Sequence, residues 1–337
     1  MERRARRFTF RDVVLVADLF DASASAQAPH ERRDLEMTDS DTLQALCSAI
    51  ERLGLKVHHY AGPDELARHA DHHKDDIVLS IYGGQRSRNR MALVPGICEA
   101  FGLRLIGPDV YGRVVAQDKE ISKRLAADCG LKTPPWRVVR SESQLASASG
   151  IHLPVVVKPL MEGSSIGITQ RNLAFQYTDM VSVGTELLRE FGQPIIVEEF
   201  VVGREVSFSK IHGMNGEAWS LSEIVIADDP TYFERRLFDA QEKLIRTSGR
   251  SVKNIDNAMR ECDRCKLEQL LSYFGPFGYC RVDGRLSGDT FFFLELTPDA
   301  WIGPEGQFAM SFMLKGWDYT DVIAAVLTSI DEAPLFQ

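Results

Sequence analysis

Two acidic residues in the stretch GYCRVDGRLSGDTFFFLELTPD set the first chemical constraint. A hairpin symmetric about the turn at Gly288 and Asp289 places Asp283 across from Glu295, and Arg281 across from Thr297, on one face. Directly opposed carboxylates repel, so a cation between them is the natural explanation, and hard oxygen ligands favour magnesium. The other reading is a register slipped by one, or side chains diverging into solvent. Arg281, on the same face, can hold a substrate carboxylate or a developing oxyanion.

A second cluster lies in VVVKPLMEGSSIGIT. Val155 to Val157 read as an apolar strand that Lys158 closes and Pro159 stops, with SIGIT resuming as a strand. Between them, glycines and the hydroxyls of Ser164 and Ser165 offer backbone N–H groups that can wrap an anion. It is not a P-loop, which puts its lysine after the glycines and at a helix start. An ordinary hairpin with an exposed lysine is the other reading. In PIIVEEFVVGREV, alternation sends Glu198 and Glu199 to opposite faces, and Gly203 bends the chain to bring Glu205 back. Such an edge can hydrogen-bond a purine and a ribose; by itself it reads equally as solvated charge at a strand end.

Other polar groups carry less. Arg86, Arg88 and Arg90 in YGGQRSRNR are either solvated or readers of carboxylate or phosphate. His69, His72 and His73 read as an exposed helix end, because no motif fixes a carboxylate or third ligand beside them. Cys262 and Cys265 read as two positions of an amphipathic helix, without the second pair a metal site needs.

The elements that must position these groups follow from periodicity. Residues 12 to 120 alternate strand-like and helix-like segments: VVLVA, a helix carrying Leu43, Leu46, Cys47, Ile50 and Leu53 at helical spacing, LKVHHY, DIVLSIYG, a helix around LVPGICEAFG, and LRLIG. This is an α/β lobe with a parallel sheet. The helix DKEISKRLAADCG follows, and KTPPW marks a hinge. A small, largely antiparallel sheet comes next, with a helix near 173 to 191. A last region has strands at REVSFSKI and EAWSLSEIVIA, a polar stretch from 227 to 250, a helix near 253 to 274, the hairpin described above, and helices near 307 to 315 and 318 to 329.

Composition is that of a soluble globular protein with ample core and leaves small or nucleotide ligands open. The 337 residues are 44% hydrophobic and 26% charged, enough for two or three lobes with their own cores. A formal net charge of −9 argues against a general nucleic-acid or membrane-surface binder. Six scattered cysteines fit reduced thiols in a cytoplasmic protein. The basic opening precedes only a short apolar run, VVLVA, which reads as a first strand and not a signal peptide, and no stretch has the length of a membrane span.

A lysine before a flexible phosphate loop, a strand-edge glutamate pair, and a late R-x-D followed by a strand ending in glutamate resemble, in that order, the ATP-grasp superfamily. Within it the chain looks like the D-alanine:D-alanine ligase group, whose loop VKP-x-x-EGSS-x-G is similar to VKPLMEGSSIG over residues 157 to 167. The resemblance implies an N-terminal parallel α/β lobe (1–118), a central lid lobe (119–205) and a C-terminal catalytic lobe (206–337), with ATP clasped between antiparallel sheets. It implies ATP and Mg2+ as cofactors, and a reaction in which a carboxylate is phosphorylated and an amine attacks the acyl phosphate. Carried over by position, Lys119 and Lys158 would contact the ATP phosphates, with Ser164 and Ser165 in the closing loop. Glu198 would accept from the adenine amino group, Phe200 and Val201 would line its slot, and Glu205 would hold the ribose. Lys243 in FDAQEK matches the mobile-loop lysine of YDYEAK. Asp283, Glu295 and Thr297 would hold the metal, and Arg281 would stabilise the tetrahedral intermediate. A homodimer is implied by family habit.

The substrate side departs from that pattern. The group's E-x-N is ELTPD here, with Thr297 in the asparagine position and Asp299 two residues on. AWIGPEGQF, with Trp301, replaces a Pro-Gly turn and serine, Leu244 replaces a tyrosine, and YGGQRSRNRMALVP replaces the acidic H-G-x-x-G-E-D-G. Glu36 is the nearest candidate for the N-terminal acceptor glutamate. These departures lead to the expectation of a small-molecule carboxylate–amine ligase of specialised metabolism whose product is not D-alanyl-D-alanine. A ligase acting on a peptide or protein terminus and a nucleotide-responsive binding protein without turnover are the alternatives.

Overall fold

A computed structural model describes residues 8–20, 34–84, 87–212, 218–227, 229, 231–239, 241, 249–275 and 277–329. Lys243 and Arg86 lie outside the described residues.

The first lobe is the expected parallel sheet, with β1 (Val13–Val16), β2 (Val57–Tyr60), β3 (Ile77–Ser80) and β4 (Arg104–Ile106) in the order β2–β1–β3–β4. Every residue of β1 is buried because both faces of the sheet are covered. Val13 and Leu15 pack with Leu46 and Ile50 of α1 (Ser40–Arg52), while Val14 and Val16 pack with Leu66 of α2 (Pro63–His69) and Val94 of α3 (Leu93–Phe101). The C-terminal helices α8 (Gln307–Met313) and α9 (Tyr319–Thr328) return to the α1 side through Phe308, Phe312 and Ile323. The hydrophobic effect thus ties the end of the chain to its beginning.

Two capped helices lead out of this lobe: α4 (Val110–Gln117), with Asp109 as N-cap, and α5 (Lys119–Asp128), whose N-cap Asp118 accepts from the amides of Glu120 and Ile121. Capping fixes the start of α5, so Lys119 and Lys123, one turn apart, share its buried face. The other residues of that face, with Cys129 and Leu131 beyond it, join the core of the last sheet.

The second sheet is antiparallel, in the order β5–β8–β6–β7, from β5 (Trp136–Val139), β6 (Val155–Pro159), β7 (Leu173–Ala174) and β8 (Ile195–Glu199). Helix α6 (Tyr177–Phe191) covers one face with Met180, Val183 and Leu187. Two expectations need correction. Strand β6 runs through Pro159, because β7 pairs only with Val155 and Val156, and a missing N–H is tolerated where the strand has one neighbour. SIGIT is not a strand: Ser164, Ser165 and Gly167 have φ of 49°, 61° and 73°, which turns the chain.

The third sheet, in the order β11–β10–β9–β12–β13, is antiparallel throughout: β9 (Arg204–Ile211), β10 (Ala218–Ile226), β11 (Arg250–Asn254), β12 (Tyr279–Ser287) and β13 (Thr290–Thr297). Strand β11 takes up residues the periodicity gave to a helix, so α7 (Glu261–Tyr273) starts later than expected. Asp283 does face Glu295, and Arg281 faces Thr297. The ground for that expectation needs correction, because symmetry about the Gly288 and Asp289 turn does not by itself produce this pairing. Ser287 pairs with Thr290 and Gly284 with Phe293, a register that would set Asp283 against Leu294; a bulge at Leu294 moves Glu295 into place. Gly284 sits at the bulge, where a Cβ would lie 2.5 Å from both the Phe292 carbonyl oxygen and the Phe291 ring. Gly284→Ala is therefore expected to cost about 1–3 kcal/mol, read as a lower urea midpoint at unchanged m-value.

Candidate active site

Charged side chains of α5, β6, β8 and the β12–β13 hairpin meet on one face. Glu198 is 2% exposed and stands between two ammonium groups, Lys158 Nζ at 2.5 Å from Oε1 and Lys123 Nζ at 2.8 Å from Oε2. Burial pushes the Glu198 carboxyl up, but Lys123 and Lys158 outweigh it and bring it below its ordinary value. Burial likewise opposes the charge of Lys158, and Glu198 and Glu295 more than compensate. Lys123 is wholly buried and drawn down to about 8 by desolvation, which Glu198 only partly offsets. Lys119 donates to the Glu162 carbonyl oxygen at 2.5 Å and lies 3.2 Å from Glu295. Both phosphate-lysine candidates are thus buried and paired with acids, against the alternative of Lys158 as an exposed lysine.

The opposed carboxylates are balanced from the side. Arg281 grips Asp283 through two bonds of 2.8 Å, and the Ser207 hydroxyl donates to the same carboxylate at 2.5 Å. Burial disfavours the Arg281 charge, but Asp283 and Glu295 hold its pKa above the usual value. Asp283, Glu295, the Ser207 hydroxyl and Thr297 form an all-oxygen set that fits a hard divalent cation, with Arg281 and Lys119 meeting part of the charge demand without it.

The loop after β6 is fastened at both ends. Ser165 donates to the Phe238 carbonyl oxygen at 2.8 Å, and the Gly163 amide donates to Glu36 Oε1 at 3.0 Å. Arg90, 4% exposed, bonds both Glu36 and Glu162, the latter at 3.0 Å, and Gln193 donates to Glu162 at 2.7 Å. Of the three arginines, Arg90 is buried in this network and Arg88 is exposed. Ser164 and Ser165, both left-handed without being glycine, hold backbone strain of about 1–3 kcal/mol each.

The adenine-slot candidates lie beside a buried arginine. Arg285 Nε is 2.7 Å from Glu205, its guanidinium stands 5.1 Å from the Phe200 ring centroid, and it donates to the Gly203 and Phe233 carbonyl oxygens at 3.1 and 2.7 Å. Val201 is half-buried next to Phe200, and Glu199, on the opposite face from Glu198, bonds the exposed His152. Asp299 lies 2.8 Å from Arg113 Nε, so it already has a counter-cation; burial raises its pKa, and its other oxygen has no hydrogen-bond partner among the described residues. Trp301 lies against Gly303 and Gly306, where a Cβ would come within 2.4 and 2.6 Å of the indole.

Sequence reasoning missed Lys123, Arg113, Ser207, Glu162 and Arg285. Only Lys123 carried a usable signal, its spacing of four from Lys119 on a helix. The histidine reading also needs correction. His73 is buried, with Nδ1 2.7 Å from Asp76 and Nε2 2.8 Å from the Tyr60 hydroxyl, while Arg11 holds Asp76 through two bonds of 3.1 Å. His58 completes a trio whose ligand atoms lie within 4.8 Å, but both ring nitrogens of His73 are already satisfied. Cys262 and Cys265 are exposed, free and on α7, as expected.

With this geometry the chain was compared with known proteins. Residues 125–328, well over half of its length, match the family model described as D-ala D-ala ligase C-terminus. The chain belongs to the D-Ala–D-Ala ligase family. Among curated relatives it is 26% identical over 294 residues to the D-alanine–D-alanine ligase of Aquifex aeolicus, covering 85% of this chain and 94% of that one. It is 24% identical to D-alanine–D-alanine ligase A of Escherichia coli K12, covering 75% and 68%. The structure of a Bacillus anthracis D-alanine–D-alanine ligase complexed with ATP superposes with a TM-score of 0.69 at 16% identity, covering 95% and 97%. That of an Enterococcus faecalis D-Ala:D-Ser ligase gives 0.68 at 15%, covering 95% and 99%. The ATP-grasp fold is therefore the fold of this D-Ala–D-Ala ligase family member, and ATP with Mg2+ as cofactors is met at the level of the family. No helix among the described residues is long and apolar enough to cross a membrane.

In this ligase-family chain Arg90 is the shared ion-pair partner of Glu36 and Glu162. Arg90→Met leaves two nearly buried carboxylates facing each other and is expected to cost about 3–5 kcal/mol; a thermal melt should show the drop, and limited proteolysis should show earlier cleavage near residue 163.

Proposed function

We propose that this chain is an ATP-dependent ligase that joins a small amino-acid-like carboxylate to an amine other than a second D-alanine, in specialised metabolism. The observation that carries the reading is the hairpin face itself. Asp283, Glu295 and Arg281 are brought together beside Lys119, within one buried charge network that reaches Lys158. Phosphoryl transfer to a carboxylate gathers negative oxygens, and a protein can stabilise that only with pre-placed cations in a site closed to water.

In this reading a substrate carboxylate oxygen attacks the terminal phosphorus of ATP, the bond to ADP breaks, and an acyl phosphate forms. The amine then attacks the acyl carbon, the amide C–N bond forms, a proton leaves the nitrogen, and phosphate departs with the C–O bond pair. Lys119, Lys158 and, from outside the described residues, Lys243 bind the phosphates. Arg281 faces the oxygen that turns negative in the tetrahedral state. The loop carrying Ser164 and Ser165 covers the reacting centre and excludes the water that would hydrolyse the acyl phosphate. Mg2+, held by Asp283 and Glu295 with Thr297 in support, supplies charge neutralisation for the phosphate oxygens. The nucleotide would lie between the lobes read as 119–205 and 206–337, with the lobe 1–118 on the substrate side.

What supports a rebuilt substrate side is the pairing of its acids. Glu36 is closed by Arg90, and Asp299 by Arg113. The family departures adjoin these pairs in sequence: YGGQRSRNR ends at Arg90, and AWIGPEGQF follows directly after Asp299.

The test is a screen of amino acids in pairs for Mg2+-dependent ADP release, with mass spectrometry of the products. One pair should release ADP and yield an amide, whereas rapid D-alanyl-D-alanine formation from D-alanine alone would overturn the substrate assignment. Absence of ADP release with every pair would favour the nucleotide-responsive binding protein. For the active pair, Arg281→Met is expected to lower kcat about 10²–10³-fold, and Lys243→Ala to abolish release; normal turnover in the latter would remove Lys243 from the phosphate site.

A further inference from the structure

Glu198, one carboxylate, has two ammonium groups beside it. Lys158 contacts Oε1, and Lys123, from α5, lies 2.8 Å from Oε2. The Lys123 ammonium also donates to Thr133 Oγ1 at 3.1 Å and to the Phe293 carbonyl oxygen at 3.5 Å. It stands 5.9 Å from the Trp136 ring centroid. Its approach to Oε2 is an ion pair and not a directed hydrogen bond, so Oε2 has no hydrogen-bond partner among the described residues. A carboxylate oxygen has two acceptor directions, and the single ion pair at buried Oε2 leaves it able to accept from a donor that arrives with a ligand.

We propose that Lys123 is a positioning residue that holds Glu198 as a carboxylate acceptor once Lys158 turns to the triphosphate, and so sets the preference for a purine bearing a 6-amino group. This rests on the reading that Glu198 faces the adenine. Lys158 cannot serve Glu198 and the phosphates at full strength together. If Lys123 were absent, Glu198 would be left buried with a weakened partner and would take up a proton. A carboxyl donates where a carboxylate accepts. It would then suit a 6-oxo purine, an acceptor, and no longer a 6-amino purine, a donor. The charged groups around the pair are Lys158 on β6 and Lys123 on α5, with Glu295 on β13 and Glu205 on β9 acting on the two ammonium groups. Lys123, at about 8, remains charged at neutral pH.

The experiment measures binding of ATP and of inosine triphosphate to the full chain by titration calorimetry, which requires no amine or carboxylate substrate. The wild type should prefer ATP. Lys123→Met should lower the ATP to inosine triphosphate affinity ratio roughly tenfold to a hundredfold, and its ATP affinity should recover as pH rises from 6 to 8.5 and Glu198 ionises. Lys123→Gln keeps a donor for Thr133 and the Phe293 carbonyl, and serves as the neutral variant where methionine does not fold. Lys123→Arg keeps the charge and should restore the ratio. Glu198→Gln should itself collapse the ratio, and adding Lys123→Met to it should change nothing further. A ratio unmoved by Glu198→Gln would overturn both the adenine reading and this proposal. A ratio that collapses in Glu198→Gln but stays at the wild-type value in both neutral Lys123 variants would overturn the role of Lys123 alone.

Discussion

A carboxylate held at 2% exposure between two ammonium groups is the interaction on which the active face depends. Removing three charges from water is costly, and only mutual attraction in good geometry offsets it. Glu198 comes from β8, Lys158 from the neighbouring strand β6, and Lys123 from α5, which packs on the third sheet. The triad therefore couples the second sheet to the third. Its charges tolerate only small relative shifts of those sheets before one is left unpaired.

The same economy recurs at each acid on this side of the molecule. Asp283 is gripped by Arg281, Glu295 neighbours Lys119, Glu36 and Glu162 share Arg90, and Asp299 has Arg113. A protein built this way holds its cations in place before the substrate arrives, which is the preorganisation that phosphoryl transfer needs. The strained loop at Ser164 and Ser165 is pinned to the first lobe through Glu36 and to residue 238 through Ser165.

Much of this was legible in the sequence where one short segment carries its own geometry. The alternation of strand-like and helix-like segments, the spacing of α1 and the R-x-D with its partner glutamate gave the correct sheets and the correct facing pair. The hairpin shows the limit. Its turn, read alone, puts Asp283 against Leu294, and the pairing with Glu295 holds because of a bulge next to Gly284, where close approach to Phe291 and Phe292 leaves no room for a side chain. SIGIT failed as a strand because positive φ at two serines is a property of tertiary fastening and not of serine. His73 was misjudged because Tyr60, which meets its Nε2, and Arg11, which holds its partner Asp76, come from other elements of the chain.

By itself the sequence determined the family, the order of lobes, and the residue types that can meet phosphate and a hard cation, because these are written as contiguous motifs whose chemistry depends on local spacing. Only the tertiary structure decided which charges are paired before any ligand binds. Lys123, Arg113, Arg285 and Arg90 are ordinary basic residues in sequence, and each becomes a buried counter-charge because distant elements pack against it. Burial is a property of the whole fold, and in a low-dielectric interior it is burial that turns a surface charge into one that must find a partner.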